Sequence, residues 1–142
     1  MKLRINKIRK AVPDQWDAIW RNCDYATYFH SREWAEIWSV SSNGKIVLDP
    51  RFIQFSDGKK ALIPLSYQKR NLFKYYESSV GGTFGGWISA DSLELDHAHL
   101  LADHMLREYG ELCWLINPYD EMIFKTPHIP WGTRSPKGVL LA

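Results

Sequence analysis

Alternating polar and apolar side chains open the chain. The alternation in residues 2–8 directs Leu3 and Ile5 inward, with Ile8 as a further candidate for the buried side, which predicts a half-buried strand. Pro13 then interrupts the alternation, and Asp14 is positioned to cap a helix. We therefore expect a strand followed directly by a helix.

Helical spacing governs the next two segments. The first has an aromatic-rich apolar face at i, i+3, i+4 and i+7, formed by Trp16, Ile19, Trp20 and Cys23. Ser31 can cap the second segment, whose apolar face repeats the same spacing with Trp34, Ile37 and Trp38. The stop signal at residues 41–44 ends this pattern. Two amphipathic helices are predicted.

After the second helix the pattern of apolar residues changes from helical to extended. The dipeptide Asp57-Gly58 divides this extended segment into two strands. Asp-Gly is a strong signal for a hairpin with a two-residue turn. Pro50 and Pro64 lack the amide donor of a central strand, so each is expected at a bulge or an edge. A turn at residues 70–71 leads into a third, aromatic-rich strand. These segments predict a three-stranded meander.

The third strand leads into a glycine-rich segment, residues 80–92, with the sequence VGGTFGGWISADS. Asp91 or Ser92 can cap a third helix, and Asp91 with Glu94 has capping-box spacing. The predicted buried face of this helix consists of Ala98, Leu101, Ala102, Met105 and Tyr109. A further strand is expected at residues 111–116.

The predicted order of elements is β-α-α-β-β-β-α-β, which indicates an α+β fold with helices covering a largely antiparallel sheet. The tail, residues 118–142, contains four prolines that argue against regular structure: Pro118, Pro127, Pro130 and Pro136. We therefore predict a domain at residues 1–117, followed by a proline-rich tail or the start of another element.

Composition narrows the class of protein. The 142 residues fit one domain, and a net charge of +2 gives no overall field for binding nucleic acid or a membrane surface. Cationic residues nevertheless cluster at the start of the chain and again at Lys69, Arg70 and Lys74. These clusters are either a local anion-binding patch or ordinary charge on solvated strand edges and loop tips, and the second interpretation is favoured.

Cysteine content and hydropathy favour a cytoplasmic location. Cys23 and Cys113 lie far apart among apolar neighbours and form no CxxC motif, so both are expected to be buried thiols. The amino-terminal residues lack the apolar core of a signal peptide, and no apolar run is long enough to cross a bilayer.

Three segments together carry a resemblance to a known family: YFHSREWAEIW, FSDGKKALIPLSYQK and YYESSVGGTFGGWIS. Their order and spacing across residues 16–87 resemble the first part of a GNAT-type acyltransferase domain of the FemAB-like kind. The resemblance implies a mixed, largely antiparallel sheet flanked by helices. It also implies a further helix and two closing strands, so the fold is expected to be incomplete in this chain.

The resemblance implies transfer of an acyl or aminoacyl group from an activated ester or thioester to an amine. FemAB-like proteins often act in bacterial cell-wall or polysaccharide assembly, and the donor would be acetyl-CoA, another acyl-CoA or an aminoacyl-tRNA. No other cofactor is implied. The acceptor would be a small molecule or a peptide amine.

Two alternatives stay open at the level of sequence. The chain could be a non-catalytic binding module whose aromatic side chains, such as Trp87 and Trp131, contact sugar or peptide. It could also be a subunit that a partner chain or a second copy completes by pairing across an exposed sheet edge.

The candidate site lies where the third strand meets the glycine-rich segment. Glu77 could orient or deprotonate an amine, or it could lie on the solvated face of its strand. The candidate substrate-binding residues are His30, Tyr75, Tyr76, Gly82, Thr83, Phe84, Gly85, Gly86 and Trp87. Glycines let a backbone approach an anionic ligand, but they equally allow a tight turn that packs Phe84 and Trp87. For His30, a role in capping the second helix is favoured.

A metal site is not predicted. The helix after the glycine-rich segment carries His97, His99 and His104 with Asp96 and Asp103. Helical spacing brings His99 onto one face with either aspartate, which favours a surface charge pair over a set of metal ligands.

Overall fold

The computed structural model describes residues 2–81, 83–109, 111–125 and 140–141. Its strands are β1 (Ile5–Lys10), β2 (Val47–Leu48), β3 (Arg51–Phe55), β4 (Lys60–Ile63), β5 (Leu65–Arg70), β6 (Phe73–Ser78), β7 (Leu112–Trp114) and β8 (Leu140–Leu141). Its α-helices are α1 (Pro13–Arg21), α2 (Arg32–Ser41), α3 (Leu95–Glu108) and α4 (Glu121–Phe124), and a 3₁₀ turn at Tyr28–His30 precedes α2.

The strands form two sheets. The smaller sheet has the order β1-β3-β4, and the larger has the order β2-β5-β6-β7-β8. Pairing is antiparallel except at β6-β7 and β7-β8, which are parallel, and α3 is the crossover that joins β6 to β7. The predicted α+β class and the predicted element types from β1 to β7 are thus confirmed.

A pair of prolines divides one long hairpin between the two sheets. Val47 lies opposite Tyr67, and Arg51 lies opposite Ile63. The same register carried through the intervening residues places Pro50 opposite Pro64. Because neither proline has an N–H, the ladder breaks there and the strands continue in different sheets. The prolines lie outside the ladders, as expected, but at the break between the two sheets and not at a bulge or an edge. The predicted single meander is wrong.

The turn at Asp57-Gly58 closes the β3-β4 hairpin through a longer connection than predicted. Gly58 has a φ of +88°, and its N–H donates to the Phe55 carbonyl at 3.0 Å. The Phe55 N–H donates in turn to the Lys59 carbonyl at 2.9 Å. The hairpin is confirmed, but its connection spans residues 56–59 instead of a two-residue turn.

Helix α1 is capped differently from the prediction. It begins at Pro13, whose missing N–H and fixed φ suit the first helical position. Asp14 therefore lies within the first turn, and Val12 occupies the capping position. The side-chain oxygen of Gln15 accepts the Val12 N–H at 3.2 Å.

Helix α3 also begins later than predicted. Glu94 is its capping residue, and the Glu94 N–H donates to Nδ1 of His97 at 3.0 Å. The Asp91 carboxylate instead accepts the Lys60 N–H at 2.8 Å, which ties the glycine-rich segment to β4. Asp91 and Ser92 are thus wrong as caps.

Two apolar cores cover opposite faces of the β3-β4 hairpin. One joins that hairpin to α3 and β7 and includes Ile53, Phe55, Leu101, Met105 and Trp114. The other joins it to α1 and α2 and includes Trp16, Ile19, Ala35, Phe52 and Leu62. The strand alternation that divides these side chains confirms that helices cover both faces.

The predicted buried faces are correct for α1 and α3, but those of β1 and α2 each include an exposed residue. Every predicted residue of the α3 face is buried, and Cys23 and Trp16 are buried beside α1. Ile8 and Ile37 are instead 40% and 44% exposed, so neither belongs to the buried cores.

The tail contains regular structure, which contradicts its prediction as irregular. Helix α4 fits between Pro118 and Pro127, and β8 pairs in parallel with β7, with Cys113 opposite Leu140. Trp131 lies outside the described residues, as do three prolines of the tail: Pro127, Pro130 and Pro136. Among the described residues, none of the helices has the length and apolar composition that crossing a membrane requires.

Candidate functional site

The glycine-rich segment folds tightly against its own surroundings. The Gly85 N–H donates to the Leu115 carbonyl at 2.9 Å, and the Gly86 N–H donates to Oγ of Ser78 at 2.7 Å. A Cβ at position 85 would collide with the Ser78 carbonyl oxygen. Both glycine amides are therefore engaged within the protein, which favours the tight-turn interpretation over a cradle for an anionic ligand. Gly82 lies outside the described residues.

Thr83 and Phe84 hold the same segment from its other side. The Thr83 hydroxyl lies 2.7 Å from the Ser79 hydroxyl and donates to the Val80 carbonyl at 3.1 Å. The Phe84 ring makes edge contacts with Phe29 and Tyr119, each at 6.4 Å between centroids. Phe84 thus links the glycine-rich segment to the residues just before α4.

The buried His30 side chain joins two segments of the chain by hydrogen bonds and does not cap α2. Its Nδ1 accepts the Thr27 N–H at 3.0 Å, so Nε2 carries the proton and donates to the Gly85 carbonyl at 3.0 Å. Burial lowers the pKa of the imidazole. The cap of α2 is Ser31, as predicted, and its hydroxyl accepts the Trp34 N–H at 3.2 Å. His30 therefore joins the start of α2 to the glycine-rich segment.

Tyr75 and Glu77 share one face of β6. The Arg70 guanidinium lies 4.6 Å from the centre of the Tyr75 ring. Burial raises the pKa of Glu77, although a hydrogen bond from the Gly81 N–H opposes that shift. Glu77 is half-buried beside a narrow gap that Ile46 and Val80 also line. The proposed role of Glu77 as a base stays a prediction.

Tyr76 points to the opposite face of β6, because successive strand residues alternate. Its ring lies 4.7 Å from that of Tyr109, and its hydroxyl is 3.5 Å from the Asp49 carboxylate. Asp49 is in turn paired with Arg51 at 2.9 Å. The structure therefore separates Tyr76 from Tyr75 and Glu77.

A cleft of about 540 Å³ lies beside the second half of the glycine-rich segment. Three segments surround it: the end of α1, the residues leading to α3, and the start of α4. We call it the acidic cleft, and its lining residues are Asn22, Asp24, Tyr25, Trp87, Ser89, Ala90, Asp91, Ser92, Leu93, Tyr119, Asp120, Glu121 and Met122. Its volume falls within the range of small-molecule sites.

Carboxylates dominate the charge of the acidic cleft. Asp24, Asp91, Asp120 and Glu121 line it, and no Lys, Arg or His is among its described lining residues. Asp120 is 6% exposed, and its Oδ1 accepts the Met122 N–H at 3.1 Å at the start of α4. Lys59 touches the rim, where its ammonium donates to the Ser92 carbonyl. The cleft is therefore suited to a cation.

Tyr25 contributes a protonated phenol to the acidic cleft. Burial raises the pKa of Tyr25, and the nearby charge of Asp120 raises it further. The Tyr25 carbonyl accepts a hydrogen bond from the side-chain amide of Asn117 at 2.8 Å, which fixes this loop against the tail. Burial also raises the pKa of the Cys23 thiol, so Cys23 is not an activated nucleophile.

Among the predicted site residues that the structure describes, Trp87 is the one that lines the acidic cleft. Sequence reasoning missed Asp24, Asp120 and Glu121, which come from segments far from the glycine-rich one. A local signal existed in the tail, where Asp120 precedes a short helix, but nothing in the sequence placed that helix beside Trp87.

The histidines of α3 do not gather into a metal site. Among the described residues, no group of three or more His, Cys, Asp or Glu is arranged to hold a metal ion. Nε2 of His97 lies 2.7 Å from the Asp57 carboxylate, which ties the start of α3 to the β3-β4 turn. The Asp103 carboxylate binds Arg107 at 3.0 Å.

Comparison with protein-family models, with curated proteins and with solved structures finds no match for this chain. The geometry of the acidic cleft and the residues around it therefore carry the functional conclusion.

Proposed function

We propose that this chain is an acyl- or aminoacyltransferase domain of the FemAB-like, GNAT type and that the acidic cleft receives its amine acceptor. The observation that carries this proposal is the charge of the cleft, which combines four carboxylates with no cationic lining residue in the described part of the chain. A primary amine is protonated at neutral pH, so such a cleft attracts it.

The aromatic lining supports the same ligand. Tyr25, Trp87 and Tyr119 contribute ring surface to the acidic cleft. An ammonium near the face of an aromatic ring is stabilised by the ring quadrupole, and more strongly where water is excluded. Carboxylates and rings together favour an organic amine over a bare metal ion, which would need a compact set of oxygen ligands.

Transfer requires that the bound ammonium lose a proton before its nitrogen attacks. A carboxylate of the cleft accepts that proton, the amine nitrogen forms a bond to the activated carbonyl carbon, and the thiol or alcohol of the donor leaves with a proton. Asp120 is the candidate within the cleft because it is buried beside Tyr25. Glu77 does not line the acidic cleft, so it is the alternative base only for an acceptor bound beside β6 instead; burial raises its pKa in the direction that suits proton transfer.

The order of elements also favours the proposal. Two helices follow β1, a hairpin and β6 follow the helices, and α3 crosses from β6 to its parallel neighbour β7. This order agrees with the arrangement that the family resemblance implies. An acyl-CoA or aminoacyl-tRNA would be the donor, held by groups other than the engaged amides of Gly85 and Gly86.

Mass spectrometry of reaction mixtures tests this proposal. The protein is incubated with acetyl-CoA, other acyl-CoA donors or aminoacyl-tRNA, together with a lysine peptide or an amino sugar as acceptor. We expect an amide product whose formation depends on Asp120. Asp120→Asn should raise the KM for the amine about tenfold, since a charge-assisted contact is lost, and it should also lower kcat if Asp120 is the base.

Two further variants complete this test. Asp103→Asn, on the outer surface of α3, is the matched control and should leave the kinetics unchanged. Glu77→Gln should lower kcat if Glu77 is the base and should have no effect if Asp120 is. Absence of transfer with every donor and acceptor would contradict the proposed activity.

A non-catalytic binding module is the second candidate, and the engaged glycine amides favour it. The Gly85 and Gly86 amides already have acceptors within the protein, so they cannot bind a donor phosphate without rearrangement. Amine binding in the acidic cleft without transfer from any donor would support this second function.

A further inference from the structure

The hairpin formed by β5 and β6 extends beyond the strands that flank it. In the described part of the chain, β2 pairs with β5 at Ser66 and Tyr67, and β7 pairs with β6 at Tyr76 and Glu77. Residues 68–75 therefore form a two-stranded ribbon with no flanking strand on either side. We call this ribbon the projecting hairpin.

The tip of the projecting hairpin is apolar and exposed. Asn71 adopts a φ of +58° at the turn, and the next residue, Leu72, is 96% exposed. Phe73 follows and is 72% exposed. Turns are usually polar, and single exposed apolar residues are common, but two large adjacent ones at a protruding turn indicate a contact surface.

Three cations surround this tip, and residues 68–75 contain no acidic residue. The Arg70 guanidinium lies over the Tyr75 ring at 4.6 Å, and the Lys74 ammonium lies over the Tyr67 ring at 4.4 Å. Lys69 pairs directly with Lys74 across the ladder. Like charges in direct opposition destabilise a hairpin, so this arrangement favours an anionic partner that neutralises them.

We propose that the projecting hairpin docks on the surface of an anionic phospholipid bilayer. Leu72 and Phe73 enter the headgroup region, while Lys69, Arg70 and Lys74 bind the anionic headgroups around them. A bilayer accepts a convex apolar tip without a complementary pocket. A protein partner is disfavoured because two side chains on a convex tip fall far short of the roughly 800 Å² per partner of a stable interface.

Vesicle sedimentation tests this proposal with the full chain. Vesicles of phosphatidylglycerol mixed with phosphatidylcholine should bind the protein, and vesicles of phosphatidylcholine alone should not. Binding should weaken as salt concentration rises, because salt screens the charges. The double variant Leu72→Ser/Phe73→Ser should reduce binding at least about tenfold, and Lys69→Gln or Lys74→Gln about fivefold each.

Val40→Ser is the matched control, because Val40 is an apolar side chain that is 78% exposed, and it belongs to α2 and not to the projecting hairpin. It should bind anionic vesicles as the wild type does. An unchanged thermal unfolding curve for the Leu72→Ser/Phe73→Ser variant would show that the tip does not stabilise the fold.

Three results would overturn the proposal: no binding to anionic vesicles, equal binding to both vesicle types, or equal binding by the tip variant and the wild type. Self-association of the wild type that the tip variant abolishes, measured by sedimentation velocity without lipid, would assign the tip to a second copy of the chain instead.

Discussion

At the scale of single residues, buried polar side chains hold the glycine-rich segment in place. His30 receives a hydrogen bond from Thr27 and gives one to Gly85, so one neutral imidazole joins two parts of the chain. The Ser78 hydroxyl accepts a hydrogen bond from the N–H of Gly86, the residue that follows Gly85. A change at any of these positions should affect stability before it affects binding.

Acid should destabilise the protein through His30. Burial lowers the folded-state pKa of His30 below its ordinary value of 6.5, so the unfolded chain binds the proton more tightly. The stabilising contribution is complete above pH 6.5 and is lost as the pH falls through that value toward the folded pKa. Urea unfolding measured from pH 7.5 downward checks this.

The matched variant for this pH series is His30→Asn. It should be less stable than the wild type at neutral pH and should lose less stability on acidification. His104, whose pKa burial also lowers, still contributes a dependence of the same sign in that variant. An identical pH dependence in His30→Asn and the wild type would contradict the assignment.

Gly85→Ala should destabilise the fold by about 3 kcal/mol or more, because the new methyl group meets a backbone oxygen that cannot move independently. Gly58→Ala is the control. Position 58 has open space around it, so the cost there is about 1–2 kcal/mol from its positive φ alone. Urea unfolding of both variants provides the comparison, and equal losses would contradict the packing role of Gly85.

At the scale of elements, local patterns predicted most of the helices and strands. The apolar spacing around Trp16 and Leu101, the cap at Ser31 and the hairpin signal at Asp57-Gly58 each act within a few residues, so the sequence alone reveals them. The bend at Pro50 and Pro64 could not be predicted, because it depends on the two prolines being opposite each other. Which residues are opposite each other is decided when the two strands pair, and neither strand's own sequence shows it.

Ser31 offers a direct test of local control over α2. Its hydroxyl accepts the Trp34 N–H, and Ser31 is buried, so water cannot replace that contact easily. Ser31→Ala should lower the free energy of unfolding by about 1 kcal/mol, whereas Ser31→Thr should keep most of it. Thermal or urea unfolding checks both, and equal stability of the two variants would contradict the role as a cap.

At the scale of the whole molecule, the acidic cleft depends on contacts between distant segments. Asp24 follows α1, Trp87 belongs to the glycine-rich segment, and Asp120 immediately precedes α4. The hydrogen bond from Asn117 to Tyr25 joins the first and last of these segments. Sequence reasoning directed attention to the glycine-rich segment and found Trp87, but it had no means of predicting which carboxylates lie beside it.

The arrangement of the whole fold also explains why Glu77 and the described glycines do not line the acidic cleft. Strand alternation places Glu77 in a narrow space on one face of β6 and sends Tyr76 to the other. The glycines are needed where the chain turns against Ser78 and Leu115. Glutamate and glycine are residue types that suit a ligand site. In this fold, however, the glycines serve a tight turn, and Glu77 lies away from the acidic cleft.

Calorimetric titration of the protein with a primary amine, such as a lysine peptide, measures whether the acidic cleft is an amine site. We expect saturable binding that is about tenfold or more weaker in Asp24→Asn/Asp120→Asn and unchanged in Asp103→Asn. The N-acetylated peptide, which has lost the ammonium charge, should not bind. Equal binding of the free and acetylated amines, or no binding of either, would contradict an amine site in the acidic cleft.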